Sequence, residues 1–467
     1  MANSGLRLKL TGVCCFPMQD LPQMLEELSQ RFPELYAWQV FIEDIDREQR
    51  LYLGSADNRL ALTTMRSGIT EVAGRAELLV RRGNATGRAE VGLDPVRPLA
   101  EQLEQALAMA RLNSSPYYDL PPAADDYPQP LTLDPGADDL AGQASDIEKR
   151  ASDLFSRARD RVLVNSAELF LERRRQKQIH SAGLQLETSR SSYYFEAALE
   201  KKPLPNTIEV HNTLSTIGVP VEELDRFVQQ CVTEALLTEH SVLPPTRARA
   251  TVLLARDATS QILHALIHQL DAAREYHRQS HLRIGDQLCQ AEGEALCMRL
   301  DPFLPLMAES RAASREGLPA VAATVIKDGT VKDRYVSHRM SQYLQIPANA
   351  VMGNLILENG SDNFEDRVLN EEEVFEIVSF SSLLVNTDQL TWSSEIKLGR
   401  LLRKGECVAI LKGGVVSGNI RQNLEHCYFS KDQSTFNVNG DGFALPMGYA
   451  GPSRWLIHRG VSIAGQS

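Results

Sequence analysis

The chain has 467 residues, 43% hydrophobic and 24% charged, with a net charge of −12 and a pI of about 5.4. That length exceeds one ordinary core and predicts two domains. The acidic balance argues against nucleic acid as a main partner, because phosphate binding needs a basic surface. The seven cysteines (Cys14, Cys15, Cys231, Cys289, Cys297, Cys407 and Cys427) form no CxxC pair. That argues against a disulfide framework or a zinc knuckle and fits a reducing cytoplasm. No apolar run reaches the roughly 18–20 residues of a membrane span, so no membrane partner is expected.

The first apolar run, 10–16, is too short for a signal peptide and meets Pro17 at once. It is read as a buried strand with two inert cysteines. Leu21, Met24, Leu25 and Leu28 share one face of a helix over 21–32. Strands are expected over 37–43, 50–53, 59–64 and 76–82. Leu99, Leu103, Leu107 and Ala110 define an amphipathic helix over 97–112. The stretch 114–143 is rich in Pro, Asp, Ala and Gly and reads as a surface connection. A helix over 146–160 follows, then strands over 162–173, 178–185 and 191–199 with a turn at His180-Ser-Ala-Gly183, then a long helix over 221–240.

Pro244-Pro245 marks the expected domain boundary. The fold class expected is α+β. An N-terminal α/β domain covers 1–243, including the connection, and a C-terminal β-rich domain with one central helix covers 244–467. The second half opens with a strand over 248–254 and a helix over 259–280. Asp328-Gly329 predicts a hairpin between 321–327 and 330–336. Gly413-Gly414 predicts another between 407–412 and 415–417. Glu371-Glu-Glu373 after Asn370 reads as the acidic first turn of a helix. There is no P-loop, no GxGxxG after a strand and no GxSxG, so neither nucleotide binding nor serine-hydrolase chemistry has support.

The helix over 259–280 carries the chemistry. His264, His268, Asp271 and Glu275 fall at i, i+4, i+7 and i+11, opposite Leu263, Leu266, Ile267 and Leu270. Two imidazoles four residues apart can reach one zinc ion, and a carboxylate can complete the shell. His277 and His281 repeat the spacing if the helix persists. The same pattern is that of a solvated polar face, and both interpretations stand. A zinc peptidase also needs a general base for its metal-bound water, and Ala265 cannot be one.

The segment Leu263-His-Ala-Leu-Ile-His-Gln269 resembles the L-H-E-A-V-G-H helix of the TldD/PmbA metallopeptidase family. The run from Asn437 to Ser453 resembles the family's closing motif C-G-x-x-G-Q-x-x-P-V-G-x-G-x-P-T. Segments 325–334, 351–360 and 413–418 are similar to its V-L-I-x-x-G-x-L-x-G, R-M-T-N-T-x-x-x-P-G and P-V-K-G-A-T-L-x-G stretches, and 179–183 to N-S-x-G. By this resemblance His264 matches the first histidine. Ala265 replaces the glutamate, Gln269 stands at the second histidine unless His268 takes over by one residue, and Asn439 stands at the cysteine.

The resemblance implies a peptidase-like subunit with a degenerate zinc motif, no catalytic residue and no cofactor of its own. It implies a TldD-type zinc-bearing partner in a heterodimer and an unfolded peptide, or the leader of a modified peptide natural product, as substrate. Asn439, Gly440, Gly442 and Gly448 would line the peptide channel. Two alternatives remain open: an active zinc peptidase with a rearranged site on His264 and His268, and a peptide-binding homo-oligomer.

Overall fold

The computed structural model describes residues 18–202, 208–218, 221–358, 360, 362–439 and 446–466. The apolar run with Cys14 and Cys15, and the glycines Gly440 and Gly442, lie outside the described residues.

Helix α1 (Leu21–Arg31) has Pro22 in its first turn and buries Leu21, Leu25 and Leu28. Three strands follow: β1 (Leu35–Gly54), β2 (Leu60–Arg82) and β3 (Ala85–Leu93). After helix α2 (Leu99–Ala110) come β4 (Ser115–Pro116), α3 (Leu140–Ser156), β5 (Val162–His180), β6 (Gln185–Lys201), β7 (Val210–Thr216) and α4 (Val221–Leu237). The strands are hydrogen-bonded in the order β4-β3-β2-β1-β5-β6-β7. The pairs of short strands expected over 37–53 and 59–82 are two single long ones. Charged residues hide this continuity from a hydrophobic pattern. Arg50, inside β1, is buried against Glu48 (2.9 Å) and Glu148 (3.0 Å), and residues 61–68 of β2 are exposed on both faces. The helix expected over 146–160 begins six residues earlier, because Asp139 caps it by accepting from the Gly142 amide at 2.9 Å.

The chain forms two compact units. The first comprises the described residues up to Asp46, with Thr70–Ala124 and Arg174–Ser189. Its core joins Leu21, Leu25, Trp38, Val40, Leu78, Val80, Leu103 and Leu107, so α1 and α2 cover the sheet with the faces their sequence period defines. The second comprises Arg47–Ile69, Asp125–Arg173 and the described residues from Arg190 onward. One of its cores packs Phe155 of α3 and Phe227 and Val228 of α4 on Leu169 and Phe195.

The remainder of the second unit is mostly strand. In chain order it contains β8 (Val252–Ala255), α5 (Arg256–Gln269), α6 (Ala272–Tyr276), β9 (Met298–Asp301), β10 (Ala323–Lys327), β11 (Thr330–Val331), α7 (His338–Leu344), β12 (Asn354–Leu357) and α8 (Phe364–Asn370). Then come β13 (Val374–Phe380), β14 (Leu384–Asn386), β15 (Thr391–Arg403), β16 (Glu406–Leu411), β17 (Val415–Asn419) and α9 (Ile420–Glu425). The last strands are β18 (Cys427–Phe429), β19 (Gln433–Asn439), β20 (Pro446–Pro452), β21 (Arg454–Ile457) and β22 (Val461–Ala464). One sheet has the order β11-β10-β9-β12-β20-β19. The other runs β18-β21-β8-β13-β15-β17-β22, with β14 and β16 also on β15. Helix α5 is buried in the core of this region, where Ile262, Leu263 and Leu266 meet residues of both sheets. No helix among the described residues is long and apolar enough to cross a membrane.

The hairpin at Asp328-Gly329 forms, with both residues at positive φ (50° and 71°), as a two-residue turn between right-twisted strands requires. The pair Gly413-Gly414 behaves differently. Both residues have positive φ (77° and 71°), yet β16 and β17 do not pair with each other. Each pairs with β15, β17 along 391–395 and β16 along 399–403. The glycines kink one continuous edge: Gly413 donates to the Ile396 carbonyl at 2.7 Å, and Ile396 donates back to Gly414 at 3.3 Å. The acidic run Glu371–Glu373 follows a helix instead of opening one. Phe364 and Val368, one turn apart, anchor α8 to Leu253, Val374 and Leu456, and Glu371 is already extended (φ −67°, ψ 135°).

Two histidines remain neutral far into the acid range. Burial pushes His180 down to about 4. Burial, aided by the stacked His426 ring (4.5 Å between centroids) and Arg367, does the same for His458. The unfolded chain, with histidines near the ordinary value of about 6.5, binds more protons than the folded one between about pH 6.5 and 4. Their contribution to stability is therefore lost as pH falls through that window. Urea midpoints should drop more steeply there for the wild type than for His458→Gln; parallel curves would refute the assignment.

Candidate functional site

Helix α5 ends earlier than its apolar stripe predicts. The Leu270 amide still bonds the Leu266 and Ile267 carbonyls, but Leu270 itself has left helical geometry (φ −89°, ψ 34°). Asp271 is extended, and its carboxylate accepts from the Ala273 amide at 2.8 Å, capping α6. A backbone bridge also draws this point out of the helix, since Tyr335 donates to Leu270 and Ala272 donates to Tyr335, both at 2.9 Å. The single helix expected over 259–280 is thus two, and the polar face at i, i+4, i+7 and i+11 does not form. Asp271 is a cap, Glu275 pairs with Arg334, and His277 ends α6 as an exposed residue.

His264 points inward. Its Nδ1 donates to the Ser260 carbonyl at 2.8 Å, and its Nε2 lies 3.2 Å from Glu309 Oε2. The two side chains are 16% and 18% exposed. His268, one turn later, is exposed on the surface. Ala265 is 1% exposed, inside the apolar core. Gln269 is equally buried and committed at both ends of its amide: Nε2 donates to the Thr387 carbonyl at 2.7 Å, and Oε1 accepts from His281 N at 2.8 Å.

Glu309 is the organising acceptor. Its Oε2 also accepts from the Gly448 amide at 3.1 Å. Asn354, fully buried at the start of β12, holds the segment in place. Its Oδ1 accepts from Glu309 N at 2.9 Å, while Nδ2 donates to the Asp301 carbonyl at 2.8 Å and to Ser310 Oγ at 2.9 Å. Asn437 of β19 accepts from Ala308 N at 3.0 Å. Gly448 sits opposite Asn437 in the β19–β20 pair, and Asn439 opposite Pro446. A Cβ on Gly448 would lie 2.0 Å from Asn354 Oδ1, so a side chain there is excluded.

Three segments singled out by sequence therefore meet at one point: His264, Asn354 and the Asn437–Gly448 pair. Glu309 had no signal in the sequence. Nothing about a lone glutamate in Met307-Ala-Glu-Ser310 marks it as the partner of a histidine 45 positions away.

Burial alone would lower the pKa of His264, but the hydrogen bond and charge of Glu309 and the Ser260 carbonyl outweigh it and raise the value. A histidine with a raised folded pKa contributes stability that is fully present below the unfolded value, near 6.5, and is lost as pH rises through the folded one. Glu309→Gln removes the cause. The His264 titration, followed by NMR of its ring, should move to lower pH; an unmoved midpoint would show that Glu309 does not hold the proton.

Among the described residues, His264 is not joined by the further ligands that a zinc ion needs. A structural or catalytic site needs three or four convergent nitrogen, sulfur or oxygen ligands. Among the described residues no three of His, Cys, Asp and Glu converge in that way. At α5 both ring nitrogens of His264 already have protein partners.

These features define a class: a mixed α/β protein whose C-terminal sheets enclose a helix carrying one inward-facing histidine. Residues 247–465 match the family model described as the PmbA/TldA metallopeptidase C-terminal domain. This C-terminal part of the chain is thus similar to the C-terminal domain of the TldD/PmbA family. The fold extends to solved structures over nearly the whole length. TldE from Thermococcus kodakarensis shares 15% identity at a TM-score of 0.75, covering 95% of this chain and 100% of that one. A candidate modulator of a DNA gyrase from Thermotoga maritima shares 14% at a TM-score of 0.75, with 96% and 100% covered. A candidate modulator of DNA gyrase from Bacteroides thetaiotaomicron shares 14% at 0.76, with 96% and 99% covered. No curated protein sequence matches the chain significantly.

Proposed function

We propose that the chain is the zinc-less subunit of a TldD/PmbA-type heterodimeric peptidase. It completes the peptide site of a zinc-bearing chain of the same family and holds no catalytic metal. The observation that carries this proposal is the state of the family's metal positions. His264 is spent on Ser260 and Glu309, the glutamate position is an alanine packed in the core, and Gln269 is tied to two backbone groups. A general base and a second ligand are absent together, which argues against a site with one damaged ligand. The substrate is an unfolded peptide or a leader segment. A cytoplasmic location belongs to the same proposal, since the described cysteines are all free.

The test is to purify the chain alone and together with a TldD-type zinc subunit. Zinc is measured by elemental mass spectrometry, and cleavage is followed on a reduced, alkylated protein. A stable complex holding about one zinc, active only as the pair, is the expected result. About one zinc in the isolated chain, lost in His264→Ala/His268→Ala, would favour the rearranged-site peptidase instead. Self-association with no complex would favour a peptide-binding homo-oligomer.

A further inference from the structure

A concavity of about 790 Å³ opens on one face of β14, β15, β17 and β22; it contains neither His264 nor Glu309, and only Thr387, whose carbonyl accepts from Gln269, connects it with that site. The strand register arranges its lining in rows. Leu384, Ser393, Ser417 and Ser462 stand opposite one another on four successive strands. Asn386, Thr391 and Asn419 form the adjoining row. Trp392, between Thr391 and Ser393, turns its ring to the opposite, buried face of the sheet, where Nε1 donates to Asn423 Oδ1 at 2.8 Å and holds β15 in place beneath the concavity. Gly418 packs so closely on that ring that a Cβ would lie 2.4 Å from it.

No lining residue has an ionisable side chain, in a chain that is 24% charged. The two asparagines are oriented. Asn386 Oδ1 accepts from the amides of Asp388 (3.0 Å) and Gln389 (2.9 Å), and Asn419 Oδ1 caps α9 by accepting from Gln422 N (3.1 Å). With both oxygens held inward, each Nδ2 is a fixed donor with no acceptor among the described residues. The hydroxyls of Thr391 and Ser393 are likewise unpartnered there, while Ser417 and Ser462 hydrogen-bond each other at 3.0 Å. Leu384, 66% exposed, adds an apolar surface at one rim.

We propose that this concavity binds a neutral saccharide. Fixed amide donors call for ligand acceptors, and rotatable hydroxyls pair with groups that both donate and accept. Sugar hydroxyls meet both demands at the roughly 4.8 Å spacing between strands, and a pyranose C–H face fits the apolar rim. Nucleotides and organic acids would find no cation. A strand-adding peptide needs an unpaired backbone edge, whereas this site presents side chains of a sheet face.

The full-length chain is titrated with maltotetraose, cellotetraose and chitotetraose by isothermal calorimetry. Saturable binding of at least one is expected, weakened about tenfold by Asn386→Asp, which keeps the turn-forming oxygen but replaces the donor. Ser393→Ala/Ser417→Ala should weaken it similarly with an unchanged melting temperature, which separates a lost contact from a lost fold. Binding of none of the three sugars, binding undiminished in both variants, or binding only of a blocked Ser-Ala repeat peptide would overturn the proposal. None of these outcomes bears on the heterodimer.

Discussion

Gly448→Ala is expected to destabilise the second unit by about 4 kcal/mol, measured as a shift in urea midpoint. The new methyl would lie 2.0 Å from Asn354 Oδ1 and 3.2 Å from its Cβ. A flexible side chain would swing away at little cost, but Asn354 cannot. It is fully buried and held by three hydrogen bonds, to Glu309 N, the Asp301 carbonyl and Ser310 Oγ. Moving it strands those groups away from water, at about 1–3 kcal/mol for each left unsatisfied. Glu309 would shift with its own amide, so the raised His264 titration should fall in the same variant. An unchanged midpoint together with an unchanged His264 titration would show that β12 and β20 have room to part.

Ala265→Glu, the substitution that restores the family's glutamate, is expected to cost about 4 kcal/mol at neutral pH and to yield no peptidase. Ala265 is 1% exposed and packs within the same cluster as Ile262, Leu266 and Leu270. A carboxylate placed in that apolar cluster would either remain protonated or force the helix outward. The penalty should shrink toward pH 5 as the acid takes up a proton. A variant of wild-type stability that gained metal-dependent cleavage would show that the site is one mutation from activity and would undermine the subunit proposal.

The fold was largely legible where one physical signal dominated. The helical stripes of α1 and α2, and the two left-handed residues at Asp328-Gly329, appear where period and turn chemistry place them. Sequence reasoning failed where a tertiary partner overrode the local pattern. The stripe through Leu270 continues as a helix on paper, but the bridge to Tyr335 and the capping carboxylate of Asp271 stop it. Gly413-Gly414 announces a turn correctly, yet only the presence of β15 decides that the flanking strands lie end to end. At the candidate site, His264 and Gly448 were visible one by one, and Asn354 lay inside the segment 351–360 singled out by its resemblance. The residue that joins them, Glu309, comes from a segment with no regular element and no periodicity.

The end-to-end arrangement on β15 has a consequence for how this sheet opens. One edge of that strand carries β13 and β14, and the other carries β17 and β16. No piece of either edge spans the whole of β15: β13 and β17 have a second partner in β8 and β22, whereas β14 and β16 have no other named strand as template. Fraying of β15 therefore frees β14 and β16 from their ladders first, while β13 and β17 stay anchored to the rest of the sheet, so the sheet loosens at its two short strands before it opens as a whole.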